Sequence, residues 1–521
     1  MSKLDEWIGT LDALKNDFGN ESTKKRRMHN IRTYFDILEK EKYTIDDETW
    51  DDLDMDDLYR KLDRTYSSVG ESVLYDMLRN PLSNEEELNK RSDTIEKIRN
   101  DVETRTKLQL IFYKLGNDKK NTLMELLQTE LIENKSKHKI YLMMGIILPL
   151  LTILFYIITQ DLRVLLGLLV LTWINIFISS SEQQRIKANG LIYLRSLMTA
   201  AEGISKIKAS CIAEDRDEIA ELVKDLRAVD TATKSIKLAN IGGGVFQFIS
   251  APFLLEETAY YRMTSLLKDK EDDIFKLYRL VGKIDAYISV ASFMKEMGDK
   301  LTKPNFIKDV NITIEDGVHP LIKDAVPNSI TFKKRGIVLT GTNMAGKSTF
   351  LRMMGTNILL AQCFNIALAK KYEAAFFNIV SSINPSDDVK EGKSYFMAEA
   401  EGLLRIIKAL ENELPVFCPI DEIFRGTNPI ERIAASAEIL KHINSKKSIS
   451  IVATHDRELT DILKDNYEFY YFSEKVDKKG LSFDYKLKSG VSKTRNAIKL
   501  LEYIGYPTEI IKKSNKRAEE L

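Results

Sequence analysis

The chain has 521 residues, which is enough for about three domains. Hydrophobic residues make up 44% of it and charged residues 30%, and with only 11 prolines and 24 glycines this composition excludes long disordered linkers. The 77 basic residues match the 77 acidic ones, so the chain lacks the overall basic excess that is typical of a dedicated nucleic-acid binder.

The first 139 residues are polar and helical in pattern. Leu, Ile and Tyr recur there at three- and four-residue steps, which predicts amphipathic helices. Within this region the run Asp46–Asp57 is strongly acidic. Such a run is more often a solvated surface than a binding site, so we expect it to face water.

Residues 140–181 contain two runs without a charged residue. Ile140–Thr159 and Val164–Ser181 are joined by the short connection Gln160–Arg163, and each has about the 18–20 residues that cross the hydrocarbon core of a bilayer. The sequence predicts a transmembrane helical hairpin with spans at 140–159 and 164–181. The alternative is a hairpin buried in a soluble core or a dimer interface, although soluble helices normally keep a polar face and these two have almost none.

Basic residues flank this hairpin on both sides: Lys135, Lys137 and Lys139 before it, and Arg185 and Lys187 after it. The positive-inside rule places both outer ends in the cytoplasm. We therefore expect a multi-pass protein of the cell membrane whose remaining residues, including residues 301–521, are cytoplasmic.

Amphipathic helices are again predicted from residue 182 to residue 300, and near Leu301 the pattern of hydrophobic residues changes. Short β-type runs such as GIVLTG, PVFCPI and SISIVATH then alternate with helices, which predicts an α/β domain with a largely parallel sheet at residues 301–521. The expected architecture is multidomain. An all-α helical core at 1–139 and 182–300 is interrupted by the transmembrane hairpin and followed by the α/β domain.

Residues Gly341–Ser348, GTNMAGKS, match the pattern G-x-x-x-x-G-K-[ST] between an apolar strand and a helical run. Backbone N–H groups of such a loop point at phosphates, and the N-terminus of the following helix adds positive potential. Lys347 is expected to reach the β- and γ-phosphates and Ser348 to bind Mg²⁺, which makes the α/β domain a P-loop NTPase of the ABC type. The predicted nucleotide-binding residues of this loop are Gly341, Thr342, Asn343, Met344, Ala345, Gly346, Lys347, Ser348 and Thr349.

Two further strand ends carry candidate catalytic residues. The apolar run Leu414–Ile420 is followed by Asp421 and Glu422, and we assign Asp421 to Mg²⁺ and Glu422 to polarising the attacking water. A third strand ends in His455, which fits a residue that senses the γ-phosphate and orients the water, although a lone histidine is often structural. The predicted catalytic residues are Glu422, His455 and Lys347, and the predicted metal ligands are Ser348 and Asp421.

These motifs together resemble the MutS family, which comprises DNA mismatch-repair ATPases and their relatives. The glycine loop with Asn343 and Met344 at its centre, the string DEIFRGTNPIE at 421–431 and the ATH at 453–455 carry the resemblance. It extends over nearly the whole chain except the region around the hairpin. Further similar segments are Thr65–Asn84 and Lys283–Phe293 in the helical core, and Gly317–Ile322, Val326–Asn328, Ser386–Ile407 and Tyr485–Pro507 in the α/β domain.

The resemblance implies roles that no local pattern reveals. It implies a homodimer that hydrolyses ATP with Mg²⁺ in composite sites, where Ser394 reaches across to the other copy's nucleotide. Asn343 would contact the γ-phosphate, Val326 would belong to the nucleotide pocket, and Tyr485 stands at a position used for stacking on adenine. The opposing position is usually aromatic in this family but is Ala325 here, which predicts weaker adenine selectivity.

Two departures from the family shape the functional hypothesis. Members that find mismatches carry a Phe-x-Glu wedge in an N-terminal domain, for which the residues before Thr65 leave no room, and Phe35–Leu38 is no substitute. The hairpin also occupies the place of the family's DNA clamp. We therefore expect a membrane-anchored ATPase whose helical arms open and close, with ATP as its only small-molecule substrate. DNA is a possible partner that the sequence leaves open, and recognition of mismatches is in doubt. The alternatives are a soluble DNA clamp with a buried hairpin, and a membrane scaffold with structural nucleotide.

Overall fold

The computed structural model divides the chain into two compact units. The first, the helical unit, comprises Met1–Glu39, Asp63–Asp76 and Thr94–Lys295. The second, the sheet unit, comprises Lys40–Leu62, Met77–Asp93 and Glu296–Leu521. The sequence texture predicted boundaries near residues 139 and 300, and the structure instead groups two N-terminal segments with the C-terminal part. The residues that the structure describes are 3–22, 24–118, 121–128, 135–182, 188–231, 250–333, 336–342, 345–383, 395–424, 428–477, 480–491 and 497–520.

Helices make up most of the described chain before residue 300. Most bury one apolar face, as the recurring three- and four-residue steps predicted, and the longest, Glu271–Met297, is buried along most of its length. The α-helices in this part are Lys3–Asp17, Met28–Ile37, Asp47–Asp52, Met55–Leu62, Ser68–Arg79, Glu85–Asn100, Val102–Leu115, Thr122–Gln128, Lys135–Leu142, Leu148–Thr159, Arg163–Glu182, Ala188–Ser205, Ala213–Asp225, Leu255–Asp269 and Glu271–Met297. Shorter helical turns are Met143–Ile147, Ser210–Ile212, Ala251–Phe253 and Gly298–Lys300.

Two consecutive helices form a hairpin where the sequence predicted one, and both are long and apolar enough to cross a membrane. They span Ser136–Thr159 and Arg163–Glu182, which is slightly longer than the predicted 140–159 and 164–181. In each helix only 11% of the most apolar stretch is buried inside the protein. A helix in the core of a soluble domain is mostly buried, so the described residues do not cover this surface.

Polar side chains hold the base of the hairpin to the helix Leu255–Asp269. The Glu182 carboxylate accepts hydrogen bonds from the hydroxyls of Tyr141 at 3.0 Å and Tyr261 at 2.8 Å. Lys137 pairs with the same carboxylate at 2.7 Å. The base is therefore held by a charged network, whereas many of the large apolar side chains of the hairpin are exposed.

A second contact joins the hairpin to the turn before this helix. Nδ2 of Asn175 donates to the carbonyl oxygens of Met144 at 3.1 Å and Pro252 at 2.8 Å. Gly145 lies so close to the same turn that a Cβ built on it would be 2.0 Å from the carbonyl oxygen of Phe253. Only glycine permits this approach of two backbones. The hairpin and the turn around Pro252 thus form one packed body.

The sheet unit contains two larger sheets and a ribbon among its described residues. Its strands are β1 (Asn305–Phe306), β2 (Asn311–Gly317), β3 (Asn328–Lys333), β4 (Gly336–Thr340), β5 (Lys371–Ala374), β6 (Asn378–Ile379), β7 (Val416–Asp421), β8 (Ser448–Ala453), β9 (Tyr467–Tyr471), β10 (Glu474–Asp477), β11 (Gly480–Phe483) and β12 (Lys488–Ser489). The largest sheet has the order β12-β9-β4-β8-β7-β6, and its neighbours are parallel except β12 and β9. The second sheet, β1-β5-β2-β3, is mixed.

The largest sheet agrees with the α/β domain predicted for residues 301–521, whereas the mixed sheet was not predicted. The strands β4, β7 and β8 are buried along their whole length, as in a parallel sheet covered on both faces. Open α/β sheets bind ligands at the carboxyl ends of their strands. These three strands end at or just before the three predicted motifs, so the fold brings the motifs to one edge. The accompanying helices are Lys347–Phe364, Tyr395–Ala409, Pro429–Asn444, Glu458–Ile462, Ala497–Ile504 and Thr508–Glu520.

The acidic run Asp46–Asp57 is only in part the solvated surface that its composition indicated. It contains the helix Asp47–Asp52, which belongs to the sheet unit, and Asp52 is buried. Asp46 caps this helix by accepting a hydrogen bond from the backbone N–H of Thr49. The prediction was wrong for Asp52, because its hydrogen-bond partners, Ser381 and Ile383, lie hundreds of positions later in the chain.

Candidate functional site

The glycine loop, residues 341–348, begins where β4 ends and leads into the helix Lys347–Phe364. Gly341 has a φ of +141° and Gly346 a φ of +108°, conformations that residues with a Cβ rarely adopt. A Cβ on Gly341 would also lie 2.8 Å from the carbonyl oxygen of Phe472. The backbone therefore requires both glycines, and the sequence pattern corresponds to a strand–loop–helix structure.

Lys347 places its ammonium group against this loop. The residue is 5% exposed, and Nζ donates to the carbonyl oxygens of Gly341 at 2.9 Å and Thr342 at 3.1 Å. Nζ also lies 3.4 Å from Nε2 of His455. A nearly buried ammonium loses solvation by water, so a phosphate group is a favourable partner at this place.

Ser348 and Asp421, the two predicted metal ligands, are in contact. The Ser348 hydroxyl donates to the Asp421 carboxylate, which is buried at the end of β7. Oxygen donors of this kind suit Mg²⁺, which is usually held by one or two carboxylates together with phosphate oxygens and water. Among the described residues, no three His, Cys, Asp or Glu side chains group to hold a metal by themselves. The pair therefore fits Mg²⁺ bound beside a phosphate.

Glu422 and His455 form a pair beside Lys347. Nε2 of His455 lies 3.0 Å from Oε1 of Glu422. The Glu422 backbone has a φ of +60°, which is uncommon for a residue other than glycine, and its N–H donates to the carbonyl oxygen of Ala453 at 2.9 Å. Strained conformations of this kind cluster at functional sites, where the surroundings enforce them. The three predicted catalytic residues thus lie in one cluster.

These groups line a cavity of about 1010 Å³, which Ala325, Val326 and Tyr485 also line. Tyr485 is 44% exposed, has a φ of +50° and stacks on Phe483 with ring centroids 5.6 Å apart. Its ring lies 3.3 Å from the point where a Cβ on Gly346 would stand. The cavity is at the upper end of the size range of small-molecule sites, and an aromatic ring stands beside the glycine loop.

Two residues that support the site were not predicted from the sequence. Nδ2 of Asn328 donates to the carbonyl oxygens of Tyr485 at 3.0 Å and Val326 at 3.2 Å, so it joins two sides of the cavity. Asn328 ends the VPN string, so a signal for it existed. Glu474 accepts a hydrogen bond from the Thr342 hydroxyl, and no local pattern pointed to this contact.

His319, which lines the cavity, is a third residue that the sequence did not single out. Burial lowers the pKa of its imidazole to about 4, and the positive charges of Arg352 and Lys61 act in the same direction. Its Nδ1 accepts a hydrogen bond from the backbone N–H of Leu321 at 3.2 Å. The ring is therefore neutral at neutral pH and adds no charge to the cavity.

The remaining predicted site residues fall into two groups. Ala345 is buried, and Thr349 lines the cavity. Asn343, Met344 and Ser394 lie outside the described residues. The roles expected for these three residues therefore stay predictions.

The fold and the site together define a class of protein. It is helix-rich and multidomain, and in its C-terminal α/β unit a lysine, a hydroxyl–carboxylate pair and a glutamate–histidine pair lie at one edge of a sheet. Residues 337–521 match the family model of MutS domain V. On this match and the relatives below, the C-terminal part of the chain, residues 337–521, belongs to the MutS family.

Similar proteins are the DNA mismatch repair proteins MutS of Thermus thermophilus, Persephonella marina and Petrotoga mobilis. They are 28% identical over 278 residues, 31% over 274 and 29% over 286, respectively. The alignments cover 50%, 50% and 51% of this chain but only 33%, 31% and 34% of the relatives. The chain thus spans about one third of the length of the curated relatives that it matches.

Proposed function

We propose that this chain is an ATP hydrolase that works with Mg²⁺. The observation that carries the proposal is the cluster at the carboxyl ends of β4, β7 and β8, where the charged and polar pairs surround one glycine loop. Membership of the MutS family supports the same activity. Phosphate release by the purified full-length chain, measured with and without Mg²⁺, tests it. No ATP turnover under either condition would refute the proposal.

The glycine loop and Lys347 bind the phosphates in this proposal. Backbone N–H groups at the helix N-terminus and the Lys347 ammonium balance the negative charge of the β- and γ-phosphates. Ser348 and Asp421 would hold Mg²⁺, which neutralises charge on the phosphate oxygens when it is bound. Their present hydrogen bond means that both oxygens lie close enough to share one ion.

Glu422 acts as the base toward the attacking water. The contact with His455 orients its carboxylate, which accepts a proton as the water attacks the γ-phosphorus. Lys347 stands next to His455, so an ammonium meets the charge that develops on the transferred group. The left-handed backbone at Glu422 limits the places its side chain can reach, which favours a fixed base.

We further propose a homodimer in which each ATP site is completed by Ser394 of the partner subunit, as the family resemblance implies. Ser394→Ala protein is then expected to turn ATP over more slowly while its ATP affinity stays close to wild type. Mixing it with Glu422→Gln protein should restore part of the turnover. A mixed dimer would have one site with both changes and one site with neither.

Steady-state phosphate release by the two variants, assayed alone and after mixing, measures this effect. As the control, each variant is mixed with a second portion of the same variant. Mixed dimers that recover no activity would count against composite sites, because each site would then contain one lesion.

The wall opposite Tyr485 predicts a weak preference for adenine. Ala325 offers no ring there, so the base can stack on one side only. Ala325→Phe is expected to strengthen ATP binding by about 0.5–1.5 kcal/mol, a factor of roughly two to ten. Competition of ATP against a fluorescent ATP analogue measures the affinity, with Ala325→Leu as the control for added volume. An equal shift in both variants would argue against stacking.

We also propose that the hairpin anchors the chain in a membrane with both outer ends in the cytoplasm. Large apolar side chains are exposed along both helices, among them Ile158 at 72% and Phe177 at 77%. Leaving apolar surface in water costs roughly 25 cal/mol per Å², so a bilayer or an apolar partner has to cover it. Basic residues beside both outer ends favour the bilayer in this orientation.

DNA is the first partner to test, because the relatives are DNA mismatch repair proteins. The net charge of +0 provides no overall attraction to phosphates, so DNA binding would need a local basic surface. Crosslinking in living cells, followed by identification of both nucleic acids and proteins attached to the chain, distinguishes a DNA target from a protein target.

A further inference from the structure

The buried carboxylate of Asp52 lies against the chain segment Ser381–Ile383, which follows β6. The residue is 6% exposed. Its Oδ2 accepts a hydrogen bond from the Ser381 hydroxyl at 2.6 Å and another from the backbone N–H of Ile383 at 2.9 Å. Thr49, one helical turn earlier, accepts a hydrogen bond from the backbone N–H of Ser381 at 3.2 Å. One face of this segment is thus held by a single short helix.

The other face of Ser381–Ile383 is held by the strand that ends at the metal-binding carboxylate. The N–H of Ser382 donates to the carbonyl oxygen of Pro419 at 3.0 Å, and the N–H of Asp421 donates to the carbonyl oxygen of Ser382 at 2.9 Å. Ile383 also lines the nucleotide cavity. The segment therefore lies between Asp52 and Asp421, and it leads toward residues 384–394, which end in Ser394.

The same short helix contacts the helix that follows the glycine loop. Nε of Arg352 donates to the backbone carbonyl oxygen of Asp52 at 2.8 Å and lies 3.2 Å from a carboxylate oxygen of Asp54. A Cβ on Gly355 would lie 2.6 Å from Leu53, so the two elements touch closely. Arg352 lines the cavity as well. The elements that carry Lys347 and Asp421 thus meet at one place.

Arg405 completes the contact from the helix Tyr395–Ala409. Its guanidinium donates to the carbonyl oxygen of Ser381 at 2.6 Å and to the Thr49 hydroxyl at 3.0 Å, and it pairs with Asp46. Desolvating an acid is costly, and an apolar residue of similar size often stabilises a fold equally well. The Asp52 carboxylate instead fixes the position of the segment, because it accepts hydrogen bonds from two donors that an apolar side chain would leave unpaired.

We propose that Asp52 is a positioning residue for the nucleotide site. It fixes Ser381–Ile383, and through this segment it sets the backbone of Asp421 and one wall of the cavity. The proposal rests on the proposed ATPase function. It assigns a role in the reaction to a residue of the N-terminal acidic run, far in sequence from the nucleotide motifs.

Asp52→Ala is expected to lower the rate of ATP turnover at saturation by roughly 10–100-fold, the usual effect of losing a group that orients a metal ligand. The Mg²⁺ concentration needed for half-maximal turnover should rise, because Asp421 is no longer held. Binding of a fluorescent ATP analogue without Mg²⁺ should stay within a few-fold, because Lys347 and the glycine loop are unchanged. Asp52→Asn keeps a carbonyl oxygen as acceptor, so it should recover most of the lost turnover.

Asp56→Ala is the matched control for a merely structural effect. Asp56 accepts a hydrogen bond from Nε1 of Trp50 at 2.9 Å in the same part of the chain. The Asp56→Ala variant should leave the Mg²⁺ requirement unchanged even if the substitution lowers the melting temperature. Should Asp52→Ala fail to fold, Ser381→Ala, which removes one of the two donors, serves in its place and is expected to raise the Mg²⁺ requirement by a smaller factor.

Wild-type turnover separates failure of this inference from failure of the proposed function. A wild-type chain without ATP turnover would overturn both. A wild-type chain that hydrolyses ATP, with an unchanged turnover rate and Mg²⁺ requirement in Asp52→Ala, would overturn only the positioning role. Equal changes in Asp52→Ala and Asp56→Ala would also overturn it, because the effect would then follow stability alone.

Discussion

Glu422→Gln protein is expected to bind ATP and to hydrolyse it roughly 10²–10⁴ times more slowly than wild type. The amide keeps the volume of the side chain but cannot accept a proton from the attacking water. Lys347, Ser348 and Asp421 are untouched, so phosphate and Mg²⁺ contacts remain. Single-turnover phosphate release measures the chemical step, and a fluorescent ATP analogue measures binding in the same preparation.

An exposed glutamate of the same unit provides the control. Glu458 begins the short helix Glu458–Ile462 after the strand that leads to His455. Glu458→Gln makes the same chemical change away from the cavity, and its turnover should equal that of wild type. Glu422→Gln turnover within a few-fold of wild type would mean that Glu422 is not the base.

Arginine in the hairpin is expected to remove the chain from the membrane. Leu151 and Leu169 are both exposed and lie within the two apolar helices, away from their ends. An arginine at the centre of a membrane helix costs about 2.5–3.5 kcal/mol on insertion scales, so Leu151→Arg together with Leu169→Arg opposes insertion of both spans. Cell fractionation after carbonate washing should show the double variant in the soluble fraction or degraded.

Leu151→Ala together with Leu169→Ala provides the matched control. It shortens the same two side chains without adding charge and should stay in the membrane fraction. A wild-type chain that purifies as a stable, soluble species without detergent would defeat the membrane anchor. It would favour a hairpin covered by an apolar partner or by a second copy.

The glycine loop could be predicted because everything that defines it is local. A buried strand, two glycines with positive φ and a lysine at a helix start follow one another within a few residues, so the pattern and the structure coincide. The helical hairpin could be predicted for a similar reason, because its two uncharged runs are local features of the sequence. Its ends extend slightly past the predicted spans because Ser136 and Glu182 continue the helices into polar surroundings.

The contacts around Asp52 could not be predicted because they join residues far apart in sequence. Asp52 and Ser381 are 329 positions apart, and Thr342 and Glu474 are 132 apart. An acidic run looks the same whether it faces water or receives arginines from another part of the chain. The grouping of 40–62 and 77–93 with the sheet unit was hidden for the same reason, since amphipathic helices do not reveal which surface they cover.

The fastened base of the hairpin has a mechanical consequence. Glu182, Lys137 and Tyr261 tie the hairpin to the helix Leu255–Asp269, and the single residue Lys270 separates that helix from Glu271–Met297. At 1.5 Å per residue, the latter is a rod about 40 Å long. If the hairpin lies in a bilayer, a change in lipid thickness that tilts it acts on this rod as torque. The thickness and tension of the bilayer would then be inputs to the helical unit.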